Sequence, residues 1–436
     1  MRLSVVRLAA LLACGIFAAH SGAAAPSEKV IHSFCSGETR VICSDGSKPR
    51  AALVNVNNTL YGTTSTGGAN GRGGVVFSVN PASGAETVLY SFCGQSGCAD
   101  GATPLAGLIA VKGALYGTTL GGGTFGYGTV FSIDPGTGAE STLYSFKNNG
   151  TDGDGPFAPL VKYEGELYGT TAYGGPTKCN NGGGPPGCGT VFSIRLKDGV
   201  ERIVYSFQDN GADGDNSLAG LTVVGGSLFG TTSTGGTGNC NWPGGCGTVF
   251  SVDPKTGVEN VVYSFCSQQN CADGERPEAS LIDVNGTLYG TTVFGGTYDR
   301  GTVFSINPAT GAEAVVYSFH DYLTDGVNPI ANLIEVGGML YGTTAAGGSN
   351  SIRCLYYCGT VFSLDPGTGT ETILYTFCFP HKCSDGINPS ATVSDVNGTL
   401  YGTTYNGGGS TSCGKTGCGT VFSLQLNDRN SKPIGK

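Results

Sequence analysis

Short apolar runs fill the chain from residue 30 onward. Each mixes Val, Ile, Leu, Tyr, Phe and Thr, and each ends at Gly, Asn, Asp or Pro. This is the patterning of strands. No segment beyond residue 25 sustains a 3.6-residue apolar period, so almost no helix is expected. The runs come in sets of four, here called A, B, C and D. In one set they cover residues 105–111, 114–119, 128–134 and 140–146. Links such as Lys112-Gly113, Asn285-Gly286 and Asn397-Gly398 join A to B and suit tight hairpins with positive φ. Asp134-Pro135-Gly136-Thr137-Gly138, echoed from Asp253 and Asp365, joins C to D. There Pro presets φ and Gly takes the left-handed position.

The set recurs seven times. Its B run begins at Leu60, Leu115, Leu167, Leu228, Leu288, Leu340 and Leu400 and reads Leu-Tyr-Gly-Thr-Thr, with Phe229 in place of Tyr in the fourth copy. A Gly-Gly pair, Gly-Thr-Val-Phe-Ser and Leu-Tyr-Ser-Phe follow. The step of 52 to 61 residues is too long for a solenoid coil and fits one propeller blade. A D-type run at 30–34 precedes the first A run, and no D run follows the last C run at 419–426. The expected fold is therefore all-β: one seven-bladed β-propeller of four-stranded antiparallel blades over residues 26–428. The N-terminal strand closes the ring as the outer edge of the last blade and removes exposed edges. In such a meander, A–B and C–D turns share one face of the disc. The long D–A and B–C loops share the other, where a ligand site is expected.

The first 25 residues read as a secretory signal: Arg2 and Arg7, an apolar run from Leu8 to Ala19, and Ala23-Ala24-Ala25 as a cleavage site. A competing reading makes Cys14 a lipoprotein acylation site, although the apolar run before it is very short. Residues 429–436 form a polar tail. No stretch is long enough for a transmembrane helix, so a secreted or periplasmic protein without membrane insertion is expected. Loss of Arg2 and Arg7 takes the net charge from −9 to −11. That acidity excludes nucleic acid as a natural partner. A monomer is expected. Gly is abundant, at 76 of 436 residues, but it is periodic and marks turns rather than disorder.

With Cys14 removed, sixteen cysteines form eight short-range pairs. Four fall in D–A loops: Cys35/Cys43, Cys93/Cys98, Cys266/Cys271 and Cys378/Cys383. Four fall in B–C loops: Cys179/Cys188, Cys240/Cys246, Cys354/Cys358 and Cys413/Cys418. Both members of a pair are present in a copy or both are missing. Such pairwise presence points to disulfides in an exported chain, each worth on the order of 2 kcal/mol in the chain-entropy account. Zinc would need four converging ligands, whereas the pairs look scattered around the ring.

An Asp-Gly occurs in every D–A loop, at Asp45, Asp100, Asp152, Asp213, Asp273, Asp325 and Asp385. Seven equivalent groups suit a turn that accepts backbone N–H bonds better than one catalytic centre. Asp152 with Asp154, and Asp213 with Asp215, look most like calcium ligands, though neither loop has the full set of spaced oxygens. Otherwise no metal or cofactor is expected. The Gly-Gly pairs lead into no Gly-Lys-Ser/Thr and no helix, so they are not phosphate loops. His32, His320 and His381 lie in different blades, which disfavours a metal cluster or a Ser-His-Asp triad. Residues that depart from the repeat on the loop face are the ligand-binding candidates: Trp242, Arg276, Tyr298, Arg300, His320, Tyr322, Tyr356, Tyr357, His381 and Lys382.

The order Leu-Ile-x-Val-Asn-Gly-x-Leu-Tyr-Gly-Thr-Thr, Gly-Gly, Gly-Thr-Val-Phe-Ser, Thr-Gly, Leu-Tyr-Ser-Phe resembles the GloVer tandem repeat of bacterial extracellular proteins. The resemblance spans nearly all of residues 26–428. It implies an extracellular repeat protein with a choice of C-terminal anchors, and this chain shows no anchor. The family supplies no catalytic residues to transfer. The blades also resemble quinoprotein and kelch propellers. With Trp242 as the one Trp and three dispersed His, neither a quinone cofactor nor a copper site is inferred. The leading expectation is a binding module for a glycan or an envelope protein. The alternatives are a carbohydrate hydrolase or lyase using carboxylates in the central funnel, and a structural exported protein without a small ligand.

Overall fold

The computed structural model describes residues 26–36, 43–179, 187–208, 210–240, 244–348, 358–378, 383–410 and 412–426. Seven antiparallel four-stranded meanders stand around a central channel. In the second blade the strands are Ile109–Val111, Ala114–Thr119, Thr129–Ile133 and Glu140–Ser145. A strands of adjacent blades touch side by side around the channel, and D strands form the outer edge of each sheet. The A strand starts four residues later than the expected 105. Residues 104–108 instead carry the chain to the channel mouth, where the Ala106 carbonyl accepts from the Thr63 hydroxyl of the preceding blade (3.1 Å). Helix is confined, among the described residues, to three single turns: Ser96–Cys98, Gln269–Cys271 and Gly414–Thr416.

The repeated motif is explained by contacts between blades. The Phe that ends each D strand packs edge-on against the Phe of the next blade's C strand. The pairs Phe92–Phe131, Phe146–Phe192, Phe207–Phe250 and Phe265–Phe304 have ring centroids 5.0–5.1 Å apart. These rings are fully buried. The Gly of Leu-Tyr-Gly-Thr-Thr makes room for them: a Cβ on Gly117 or Gly169 would lie 2.7 or 2.6 Å from the tip of Phe131 or Phe192. The first Thr donates across to the next blade, as Thr170 does to the Ala219 carbonyl (2.7 Å) and Thr231 to that of Ala279 (3.0 Å). The second Thr bonds within its own blade, as in Thr119 to Thr129 (2.8 Å).

The ring closes as the strand count requires. Glu28–Ser33 pairs with Thr420–Gln425, from Glu28 opposite Leu424 to Ser33 opposite Thr420. Phe34 then packs on Phe77 of the first blade at 5.2 Å. The A–B turns have the expected geometry, with φ of 50° and 86° at Lys112 and Gly113.

Removing residues 26–36 deletes one rim strand and the Phe34 contact together. Burial of one Phe is worth about 3–5 kcal/mol, so the melting temperature should fall by at least roughly 4–6 °C. A truncated protein that melts with the parent would show that the ring does not depend on this strand.

Candidate functional site

The seven Asp-Gly carboxylates each accept hydrogen bonds that hold the turn after a D strand. In six copies the D-strand Tyr donates its hydroxyl to the Asp of the following loop. Examples are Tyr90 to Asp100 (2.9 Å), Tyr205 to Asp213 (2.7 Å) and Tyr375 to Asp385 (2.8 Å). In the seventh, His32 Nε2 lies 3.2 Å from Asp45. The same carboxylates accept backbone N–H groups, from Lys147 to Asp152 (2.9 Å) and from Gln208 to Asp213 (2.8 Å). The acids considered for calcium are engaged by donors as well: Asp154 by Asn148 Nδ2 (3.0 Å) and Asp215 by the Thr234 hydroxyl.

A Glu at the start of each D strand stands beside the Asp clamp of the preceding blade. Tyr263 bonds both Asp273 (2.8 Å) and Glu313 (3.3 Å). Burial, and then the neighbouring Asp charge, pushes Glu259 and Glu313 up to about 7 and Glu371 to about 8. Glu201 rises to about 7 through burial and Asp152. One oxygen of each of these four side chains is buried without a hydrogen-bond partner, which suits a protonated acid.

Seven disulfides lie within single loops: Cys35–Cys43, Cys93–Cys98, Cys179–Cys188, Cys240–Cys246, Cys266–Cys271, Cys378–Cys383 and Cys413–Cys418. Cys358 is also bridged, and its expected partner Cys354 lies outside the described residues. The pairs are less scattered than expected. The end of D lies beside the start of C, so the D–A and B–C bridges of one blade meet. The sulfurs of Cys35, Cys43, Cys413 and Cys418 all fall within 4.8 Å of one another.

Of the ten ligand candidates, five gather over the fifth blade. Tyr298 is 55% exposed and meets the His320 ring edge-on at 5.9 Å. His320 Nδ1 lies 3.1 Å from Asp321. Arg300 lies over the Tyr322 ring at 4.8 Å, and Arg276 stands 5.8 Å from the Phe294 ring. Trp242, Tyr356, Tyr357, His381 and Lys382 lie outside the described residues. Beside the cluster opens a polar cavity of ≈780 Å³, walled by Asn239, Gln268, Asn270, Glu275, Phe294 and Asp299. Glu275 is 7% exposed, and its Oε1 has no hydrogen-bond partner.

Two residues at the channel mouth were missed in the sequence. Arg50 and Glu278 occupy the variable position between Pro and Ala at the start of the A segment. Glu278 is bonded to Arg276 at 3.0 Å. Burial raises its pKa, and Arg276 and Arg50 counter the rise. A signal was available: this position is Arg50, Leu105, Phe157, Leu218, Glu278, Ile330 and Ser390 in successive copies, between neighbours that hardly change.

Residues 26–243 and 241–432 match the Gloeobacter/Verrucomicrobia repeat, the GloVer repeat inferred above. The chain belongs to that family. No curated protein matches it. Among solved structures it is similar to an oligogalacturonate lyase in complex with manganese, at 12% identity and a TM-score of 0.51, covering 93% of this chain and 97% of that one. An oligogalacturonate lyase from Vibrio parahaemolyticus gives 9% identity and a TM-score of 0.52, covering 94% and 99%. A europium-containing methanol dehydrogenase gives 11% and 0.49, covering 92% and 93%. At these identities the likeness is one of fold.

The rim acids set a pH dependence. A carboxyl raised from 4.5 to about 7 or 8 binds more protons in the folded state than in the unfolded state. Its stabilising contribution is complete below about pH 4.5 and is lost as pH rises through 7 to 8. Melting scans should show higher stability at pH 5 than at pH 8.5, with a shallower dependence in Glu259→Gln. Equal stability at both values would contradict the assignment.

Proposed function

We propose that this protein is an exported binding module and that a glycan docks on its loop-bearing face. The observation that carries the reading is the convergence of Arg276, Tyr298, Arg300, His320 and Tyr322 over one blade, beside a large polar cavity. Aromatic faces and guanidinium groups stack on sugar rings and bond to their hydroxyls, and the Asn and Gln amides of the cavity wall add donors and acceptors. Rigidity supports it as well. Disulfides 240–246 and 266–271 pin the loops that wall the cavity, which lowers the entropy lost on binding. The disulfides also favour an oxidising compartment. No helix among the described residues is long and apolar enough to cross a membrane.

One observation favours an enzyme instead. Glu275 is a buried carboxylate without a hydrogen-bond partner on Oε1, and it shares the cavity with Asp299. The central funnel, the expected home of such a pair, has Glu278 as its one acidic lining residue among those described. Screening immobilised polysaccharides, followed by product analysis, separates the readings. Binding without products, weakened about tenfold in Tyr298→Ala or Arg300→Ala, is the expected result. Product formation that stops in Glu275→Gln would replace the binding module with an enzyme, and retention of no glycan would remove the glycan.

A further inference from the structure

Outside its variable loops, the repeat departs most from its common plan at the loop-side mouth of the central channel. There each blade contributes one side chain from Pro-x-Ala (Ser217-Leu218-Ala219 in the fourth blade) and a second from the position after Ala. Around the ring these are Arg50 with Ala52, Leu105 with Gly107, Phe157 with Pro159, Leu218 with Gly220, Glu278 with Ser280, Ile330 with Asn332, and Ser390 with Thr392. Blade order makes the distribution lopsided. Blades two to four form an unbroken apolar arc of Leu105, Phe157 and Leu218. Blades five, six, seven and one carry the polar groups, interrupted only by Ile330.

The polar arc is ordered in advance. The Gly220 N–H donates to Ser280 Oγ (2.8 Å), the Ser280 N–H to Asn332 Oδ1 (2.7 Å), and the Asn332 N–H to Thr392 Oγ1 (3.2 Å). Above this belt the Ser390 hydroxyl is buried with no hydrogen-bond partner. The residue before the Pro is left-handed in every described copy. It is Gly or Asn in four copies, Gly155, Asn216 (before Ser217 rather than Pro), Asn328 and Asn388, as that backbone favours, and Thr103 in the second blade. Blades one and five place Lys48 and Arg276 there instead, at φ of 60° and 62°. Lys48 and Arg50 both lie over the Tyr405 ring, at 5.0 and 5.4 Å. At the mouth itself one cation, Arg50, faces one acid, Glu278, while Lys48 donates to Asn406 and to the Gly417 carbonyl (3.0 Å) in the neighbouring loop. Glu278 pairs with Arg276, and Arg50 makes no ion pair among the described residues.

The mouth encloses ≈210 Å³, which is roughly the share of seven liquid waters and suits a single six-membered ring with its substituents. We propose that it binds one ring-sized organic carboxylate. The carboxylate lies against the Arg50 guanidinium, the flat apolar side against Leu105, Phe157 and Leu218, and a polar edge against the Ser390 hydroxyl and the belt. A sugar acid and an aromatic acid share this chemistry. The site meets the fifth-blade cluster at Arg276, which pairs with Glu278, but it does not require the glycan-binding reading.

The test is ligand-observed NMR titration of the mature chain with glucuronate and benzoate, each beside its neutral counterpart, glucose or benzyl alcohol. One acid should bind saturably, and at least about tenfold tighter than its counterpart, because the charge-assisted bond is missing from the latter. Whichever acid binds names the source. Arg50→Gln should weaken that acid about tenfold at unchanged melting temperature, since Arg50 is exposed. Glu278→Gln should tighten it by about two- to fivefold by removing a like charge and freeing Arg276. Tyr298→Ala should leave it unchanged, which separates this site from the glycan surface. Binding of neither acid, equal binding of the neutral compound, or full affinity in Arg50→Gln would overturn the proposal.

Discussion

The edge-to-face contact between the last Phe of one blade and the buried Phe of the next is the interaction on which the ring depends. It is made at every junction, including the closing one between Phe34 and Phe77. Each pair adds about 0.5–1.5 kcal/mol beyond area burial. It also dictates much of the remaining motif. The ring tip needs a neighbouring residue without Cβ, hence Gly in Leu-Tyr-Gly-Thr-Thr. The chain crossing from one blade to the next runs against the ladder direction, so its carbonyl needs an outside donor, and the first Thr supplies it. The D strand must end where the rim loop turns, and Tyr bonded to Asp holds that turn.

A scaffold specified this strictly leaves few positions free to differ. Where the copies do differ, the differences fall in the long D–A and B–C loops and at the channel mouth. Both lie on the face that carries the disulfides. The opposite face has only tight turns such as Lys112-Gly113. Rigidity and variability thus meet on one side of the disc, the arrangement expected of a recognition surface on a fixed frame.

Architecture was legible because it is written seven times. Period, turn residues and the surplus N-terminal D strand were enough to place the closure of Glu28–Ser33 on Thr420–Gln425. The A strand was read too long because residues 104–108 are apolar and β-prone, and pattern alone cannot tell a strand from a channel crossing. The candidate site was half legible. Arg276, Tyr298 and Arg300 stood out as departures from the loop pattern. Arg50 and Glu278 were overlooked because they sit inside the well-behaved part of the repeat, where variation reads as tolerance. Their meaning appears only when seven positions far apart in sequence are brought to one ring. The meeting of Cys35 and Cys43 with Cys413 and Cys418 was hidden for the same reason, since it depends on closure.

The central claim is that the ring stands or falls as one unit through these aromatic junctions. Native-state hydrogen exchange on Phe207→Ala, a substitution at the Phe207–Phe250 junction between blades three and four, tests it most directly. The account predicts that protection falls together in the C strands of all seven blades. Loss of protection confined to the two blades that flank the substitution would contradict it.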